Sequence, residues 1–141
     1  MTISFYSEGI HFDLKQKIRH KQWVRDCIYS NQKIQGNISF IFISNEQLRL
    51  MNQEYLNHNY FTDVLTFSYA EKDIISGDIF ISIEQVRINA ELFGVVAEEE
   101  LRRVMIHGVL HLMGFNDSLP EEQAIMRKKE NEALHLWLKP V

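Results

Sequence analysis

The sequence predicts a single α+β domain: one small mixed β-sheet of about four strands, packed with about five helices, and a metal site at the end of a long helix. Three observations carry this. The 141 residues suffice for one hydrophobic core, and no repeat, low-complexity run or linker divides them. Short β-branched and aromatic runs alternate with segments of helical periodicity. A long breaker-poor stretch near the C-terminus carries metal-capable side chains among apolar ones.

The elements follow in order. From Asp13 to about Ser30, Leu14, Ile18, Val24, Cys27 and Ile28 recur at mostly helical spacing, with Asp13 as the expected N-cap. The run 38-ISFIFIS-44 reads as a strand, and Asn45 is expected to cap a helix reaching about Tyr55. The runs 63-DVLTFSY-69 and 77-GDIFISI-83 have strand character and are joined by a short polar connection. Residues 84–93 read as a helix stopped by Gly94, and residues 97–113 as a longer one stopped by Gly114. A last helix is expected from about Pro120 to Leu138, burying Ile125, Met126, Ala133, Leu134 and Trp137.

Composition narrows the function. With 45% hydrophobic and 24% charged residues, the chain is an ordinary globular one. No apolar run reaches membrane-span length, and residues 1–10 lack a signal-peptide pattern, so a cytoplasmic protein without a membrane partner is expected. Cys27 is alone and reads as a small buried hydrophobe. A net charge of -4 argues against coating nucleic acid by bulk electrostatics but leaves room for a local basic patch. Basic residues cluster in 15-KQKIRHKQWVR-25 and again at Arg102, Arg103, Arg127, Lys128 and Lys129; solvated helix faces are the simpler account of such runs.

The chemistry concentrates in 107-HGVLHLMGFND-117. On a helix, His107 and His111 leave one face a turn apart and can converge on one ion. Gly114 permits a tight reversal, after which Asp117 can swing back as a third ligand. Two nitrogens and a carboxylate oxygen suit a zinc ion with an open position, the arrangement of catalytic zinc. The competing account makes both histidines satisfied core residues. Gly108 stands where a zinc peptidase of the H-E-x-x-H type carries its glutamate, which counts against proteolysis. His11, His20, His58 and His135 have no partner at ligand spacing and are assigned to surface or core.

The same run resembles the signature H-G-x-L-H-L-x-G-Y-D-H of the YbeY-type endoribonuclease and rRNA maturation factor family. Upstream, 62-TDVLTFSY-69 is similar to the family's T-[DN]-V-L-S-F-P segment, and 77-GDIFIS-82 to its G-D-I-x-I-S strand. The order and spacing agree over the whole chain, so residues 1–141 are expected to form one metal-dependent hydrolase domain. The resemblance implies a zinc-dependent endoribonuclease for single-stranded RNA, with one zinc per chain. It also implies a role in maturation of the small-subunit rRNA 3′ end and in ribosome quality control, with the small subunit and biogenesis factors as partners.

This chain departs from the family pattern at four places. Asp117 stands at the third histidine and Asn116 at the preceding aspartate. Leu56, within 55-YLNHNYF-61, aligns with an arginine, and Ser68 replaces a proline. Arg102, Arg103 or a residue of the first helix could supply the missing guanidinium. The expected metal ligands are therefore His107, His111 and Asp117, and the expected catalytic set is His107, His111 and Asp63. Asp63 could equally cap a turn or orient the backbone. Lys15, Lys17, Lys21, Arg102 and Arg103 are the expected RNA contacts. Two other readings remain at this point: an RNA-binding biogenesis factor whose metal braces the last loop, and a small metallohydrolase of peptides or amides.

Overall fold

The computed structural model describes residues 1–56 and 62–139, and for Leu56 its backbone alone. Among the described residues four strands and five helices follow one another as β1 (Ile3–Ser7), α1 (Lys17–Ser30), β2 (Ile34–Ile43), α2 (Asn45–Leu56), β3 (Val64–Ser68), β4 (Ile74–Ser82), α3 (Ile83–Phe93), α4 (Ala97–Leu112) and α5 (Pro120–Trp137). The strands form one mixed sheet in the order β1-β2-β4-β3. β1, β2 and β4 run parallel, and β3 pairs antiparallel with β4. None of the described helices is long and apolar enough to cross a membrane.

Side-chain alternation along β2 assigns the two faces. Ile38, Phe40 and Phe42 enter the larger core with residues of α1, α3, α4 and α5, whereas Ile41 and Ile43 meet Leu48 and Leu65 beneath α2. A strand apolar on both sides reads as the continuous run seen in the sequence because both faces are covered. β1 is the strand that the sequence reading did not place. It is a five-residue edge strand whose Ile3 is buried and whose Phe5 stacks on Phe40 with centroids 5.5 Å apart.

Two expected caps are corrected. α1 begins at Lys17 rather than Asp13, after Gln16 in the left-handed region (φ 54°), and Asp13 instead accepts an ion pair from Lys17 Nζ at 2.7 Å. Ile18, expected on the buried stripe, is 85% exposed. For α2 the capping residue is Ser44, not Asn45. Ser44 Oγ accepts from Gln47 N at 3.2 Å and Gln47 Oε1 accepts from Ser44 N at 2.9 Å, a reciprocal capping box.

α4 crosses β3 and β4 and buries most of its length. Gly108 makes this approach possible: a Cβ there would lie 2.7 Å from Ile79 Cγ2 and 3.4 Å from Thr66 Cγ2. A glycine that weakens the helix locally thus brings the helix down onto the sheet.

Candidate metal centre

Residues 107 and 111 lie on the last turns of α4, so the two imidazoles emerge side by side, with ring centroids 4.6 Å apart. The helix ends as its backbone dictates. Gly114 takes φ +100°, while Gly114 N and Phe115 N donate back to the His111 and Leu110 carbonyls at 3.0 and 3.1 Å. This reversal turns the next residues over the helix end, and Asp117 Oδ2 lies 3.2 Å from His107 Nε2 and 3.4 Å from His111 Nε2. The two Nε2 atoms are 3.1 Å apart.

These three donors form a near-equilateral triangle. Tetrahedral zinc with nitrogen and oxygen ligands at about 2.0–2.1 Å separates its donors by about 3.3–3.4 Å, so the triangle has the size such an ion requires. Among the described residues this is the group of histidine, cysteine or acidic side chains close enough together to hold a metal ion.

The protonation pattern also suits a ligand. His107 Nδ1 is 2.7 Å from Glu130 Oε2, so Nδ1–H is donated there and the Nε2 lone pair faces the triangle. Glu130 is 5% exposed, and its other oxygen accepts from Arg103 Nη1 at 2.9 Å. Burial works to raise the Glu130 carboxyl, but the hydrogen bonds from His107 and Arg103 outweigh it and hold the group below its ordinary value. Burial works to lower His107, but the Glu130 hydrogen bond and charge hold it above. His111 is pushed down by burial and by its neighbour His107.

The triangle sits in a cleft of about 510 Å³. Asp63 lies on its wall at the start of β3; its carbonyl accepts from Ser82 N at 3.0 Å and its Oδ2 from Asn89 Nδ2 at 3.2 Å. The bond to Ser82 is made by the Asp63 main chain, while the Asp63 carboxylate accepts from the Asn89 side chain and lines the cleft. Burial, above all, raises its carboxyl. Glu100, 5% exposed on the same wall, is raised by burial and by the nearby Asp63.

The five expected RNA contacts are not brought together. Arg103 lines the cleft, whereas Lys15 and Arg102 line a cavity formed by α1, α3 and the start of α4. Lys17 pairs with Asp13, and Lys21 lies beside the N-terminal strand. Leu56 closes α2 with its side chain outside the described residues, where His58 also lies. Of the other histidines, His20 is buried, His11 and His135 border other cavities.

Glu130, Glu100, Asn89 and Arg127 are cleft residues that the sequence reading did not select. Glu130 had a signal: it lies four residues after Met126 and three before Ala133, both buried, so helical spacing puts a carboxylate on the apolar face of α5. A buried carboxylate requires a partner.

Comparison with known proteins is consistent along the chain. Residues 4–137 match the family profile described as "Endoribonuclease YbeY". A Bacteroides thetaiotaomicron protein named endoribonuclease YbeY is 42% identical over 134 residues, covering 95% of this chain and 98% of its own. Its namesake in Flavobacterium psychrophilum is 47% identical over 135 residues, covering 96% of both. The solution structure of a Thermotoga maritima protein superposes with a TM-score of 0.67 at 26% identity, over 96% of this chain and 89% of that one.

Proposed function

This chain belongs to the endoribonuclease YbeY family, and from that premise we propose that it cleaves single-stranded RNA internally, using one zinc ion held by His107, His111 and Asp117. The observation that carries the reading is the donor triangle with sides of 3.1, 3.2 and 3.4 Å. Bound there, zinc would supply Lewis acidity toward a phosphoryl oxygen and would acidify a hydroxyl group.

The protein's own groups supply the rest. Glu130 fixes the His107 tautomer and is itself held by Arg103. Asp63, whose carboxyl is raised by burial, is the cleft-wall group assigned to hold or release a proton. Arg127, 62% exposed in its side chain and 3.8 Å from Glu130, can swing toward a phosphate and stands in for the arginine replaced by Leu56. The glutamate base of a zinc peptidase is replaced by Gly108, whose position is occupied by helix–sheet contact. Of the expected RNA contacts, Arg103 lines the cleft and is assigned to the bound strand, while Lys15, Lys17, Lys21 and Arg102 lie away from it and have no role in this reading. Small-subunit rRNA, with the ribosomal particle and its biogenesis factors, is the proposed cytoplasmic context, and residues 1–141 act as one domain.

The test is turnover of single-stranded RNA by the purified protein, by protein treated with chelator and by His111→Ala. Cleavage in the first alone is expected. Tight RNA binding with no cleavage in any of the three would favour a metal that braces the 113–119 loop of an RNA-binding factor.

A further inference from the structure

Residues seven apart on a helix share a face and lie roughly 10 Å apart along its axis. On α4 this sets Glu100 in line with His107, two turns toward the N-terminal end, and both side chains line the metal cleft. α3 contributes Asn89 and Phe93, one turn apart, to the same cleft. The cleft therefore extends beyond the donor triangle along the first turns of α4, and its 510 Å³ leaves room there for a small aromatic ligand group.

Two side chains in this extension have unmet requirements. Glu100 is 5% exposed, yet among the described residues its carboxylate accepts no hydrogen bond and feels its neighbours only through their charge. Arg103 attracts it but spends Nη1 on Glu130 at 2.9 Å and Nη2 on Asn131 at 3.0 Å. Asn89 is committed at both ends, donating to Asp63 and accepting from Gln85 Nε2 at 3.0 Å. The carboxylate is nonetheless reachable. The described side-chain atoms that are both sealed from solvent and unpartnered are His20 Nε2 and Arg102 Nε, so the Glu100 oxygens open on the cleft they line. Phe93 has the opposite problem: it is the last residue of α3, 60% exposed, and belongs to neither hydrophobic cluster, so its ring lines a polar cleft without covering any core.

A buried carboxylate without donors is costly, and a ligand that brings N–H groups relieves it. An exposed aromatic ring in a strand-binding cleft offers a face on which a base can stack. One nucleobase meets both needs best. Guanine carries two adjacent donors, N1–H and the N2 amino group, which match the two oxygens of a carboxylate. Adenine and cytosine set a ring-nitrogen acceptor beside their one amino group, and uracil flanks its single N–H with two carbonyls, so each turns an acceptor toward the negative charge. We propose that Glu100 and Phe93 form a guanine subsite of the RNA substrate, with the base on the Phe93 ring and its Watson–Crick edge on the Glu100 carboxylate. Glu100 is two helical turns from His107, a distance that a nucleotide bridges when its phosphate, or that of its neighbour, lies at the donor triangle. The subsite rests on the endoribonuclease reading and adds to it a preference for cutting next to guanosine.

Fluorescence anisotropy of the full chain with 2′-O-methyl hexanucleotides, which resist cleavage, tests the subsite. The probes are hexauridylate and the same strand with one central guanosine or inosine. The guanosine strand should bind at least tenfold more tightly than hexauridylate, and inosine, which lacks the N2 amino group, should lose at least threefold of that. Glu100→Gln keeps the shape of the side chain but turns one donor toward guanine, so the ratio of guanosine to uridine affinity should fall to near one. Phe93→Ala should weaken both strands at least threefold, because stacking tolerates any base. If Glu100 served folding alone, its substitution would shift both affinities together and leave their ratio intact. A ratio near one in the native protein, a ratio preserved in Glu100→Gln, or affinities unchanged in Phe93→Ala overturns the subsite. Unmodified strands then separate the two readings. Cleavage with no guanosine preference in binding removes the subsite and leaves the endoribonuclease standing, whereas guanosine preference in binding with no cleavage does the reverse.

Discussion

Glu130 and His107 are joined across the α4–α5 interface by a 2.7 Å hydrogen bond from the imidazole Nδ1 to a carboxylate that is 5% exposed. Such a bond raises the basicity of the opposite ring nitrogen and fixes its direction, and loss of comparable partners weakens metal sites by about 10–100-fold. Glu130→Ala should therefore lower zinc affinity by that factor in competition with a chromophoric chelator, with Glu130→Gln in between. Unchanged affinity in both would show that Glu130 serves α5 packing alone.

Asp117 should govern both metal retention and acidity. A carboxylate with two neutral imidazoles leaves a divalent site with a formal charge of about +1, against about +2 for three histidines, and each anionic ligand offsets part of the ion's field. Asp117→Asn should lose much of the zinc. Asp117→His should keep it if the loop after Gly114 relaxes, and should move the rising limb of the pH–rate profile to lower pH. Metal content and cleavage across pH for the native protein, these two variants and Asp117→Ala check this; full retention by Asp117→Ala would place the third ligand elsewhere.

Gly108→Ala should destabilise the fold despite its better helix propensity. The added Cβ would sit 2.7 Å from Ile79 Cγ2, and overpacking of this kind costs about 1–3 kcal/mol, only partly offset by the roughly 1 kcal/mol gained in propensity. A lower urea midpoint is expected, with a smaller effect of the same change in an Ile79→Ala background.

Arg127→Glu should weaken single-stranded RNA binding and make its salt dependence shallower by about one phosphate contact, whereas Lys72→Glu should change neither. Arg127 lines the metal cleft, and Lys72 lies in the β3–β4 connection. Equal effects of the two substitutions would remove the cleft's basic wall from RNA binding.

Cys27 is 2% exposed, and burial pushes its thiol up to about 12. The folded state thus keeps its proton at pH values where the unfolded chain loses it. The stability linked to this group is full below about pH 9, the ordinary thiol value, and declines as pH rises from there toward 12. The native protein at pH 8 should resist a thiol reagent that reacts at once in denaturant; rapid labelling of the native state would contradict the burial.

Local information in the chain was enough for the fold class, for most helices and strands, and for the pairing of His107 with His111, because helical period, strand composition and glycine stops act over a few residues. The reach of Asp117 was also legible, since it depends on one turn at Gly114. What the local pattern misjudged were positions decided by neighbours. Asp13 looks like a cap but pairs with Lys17, and β1 is too short to announce itself until Phe5 meets Phe40. The Arg103–Glu130–His107 chain was decided by tertiary structure alone. Glu130 lies 23 residues from His107 on another helix, and only the packing of α5 on α4 brings the carboxylate to the ring. The physical reason is range: backbone preference and periodicity are written into adjacent residues, whereas the partner of a buried charge is chosen by where helices cross.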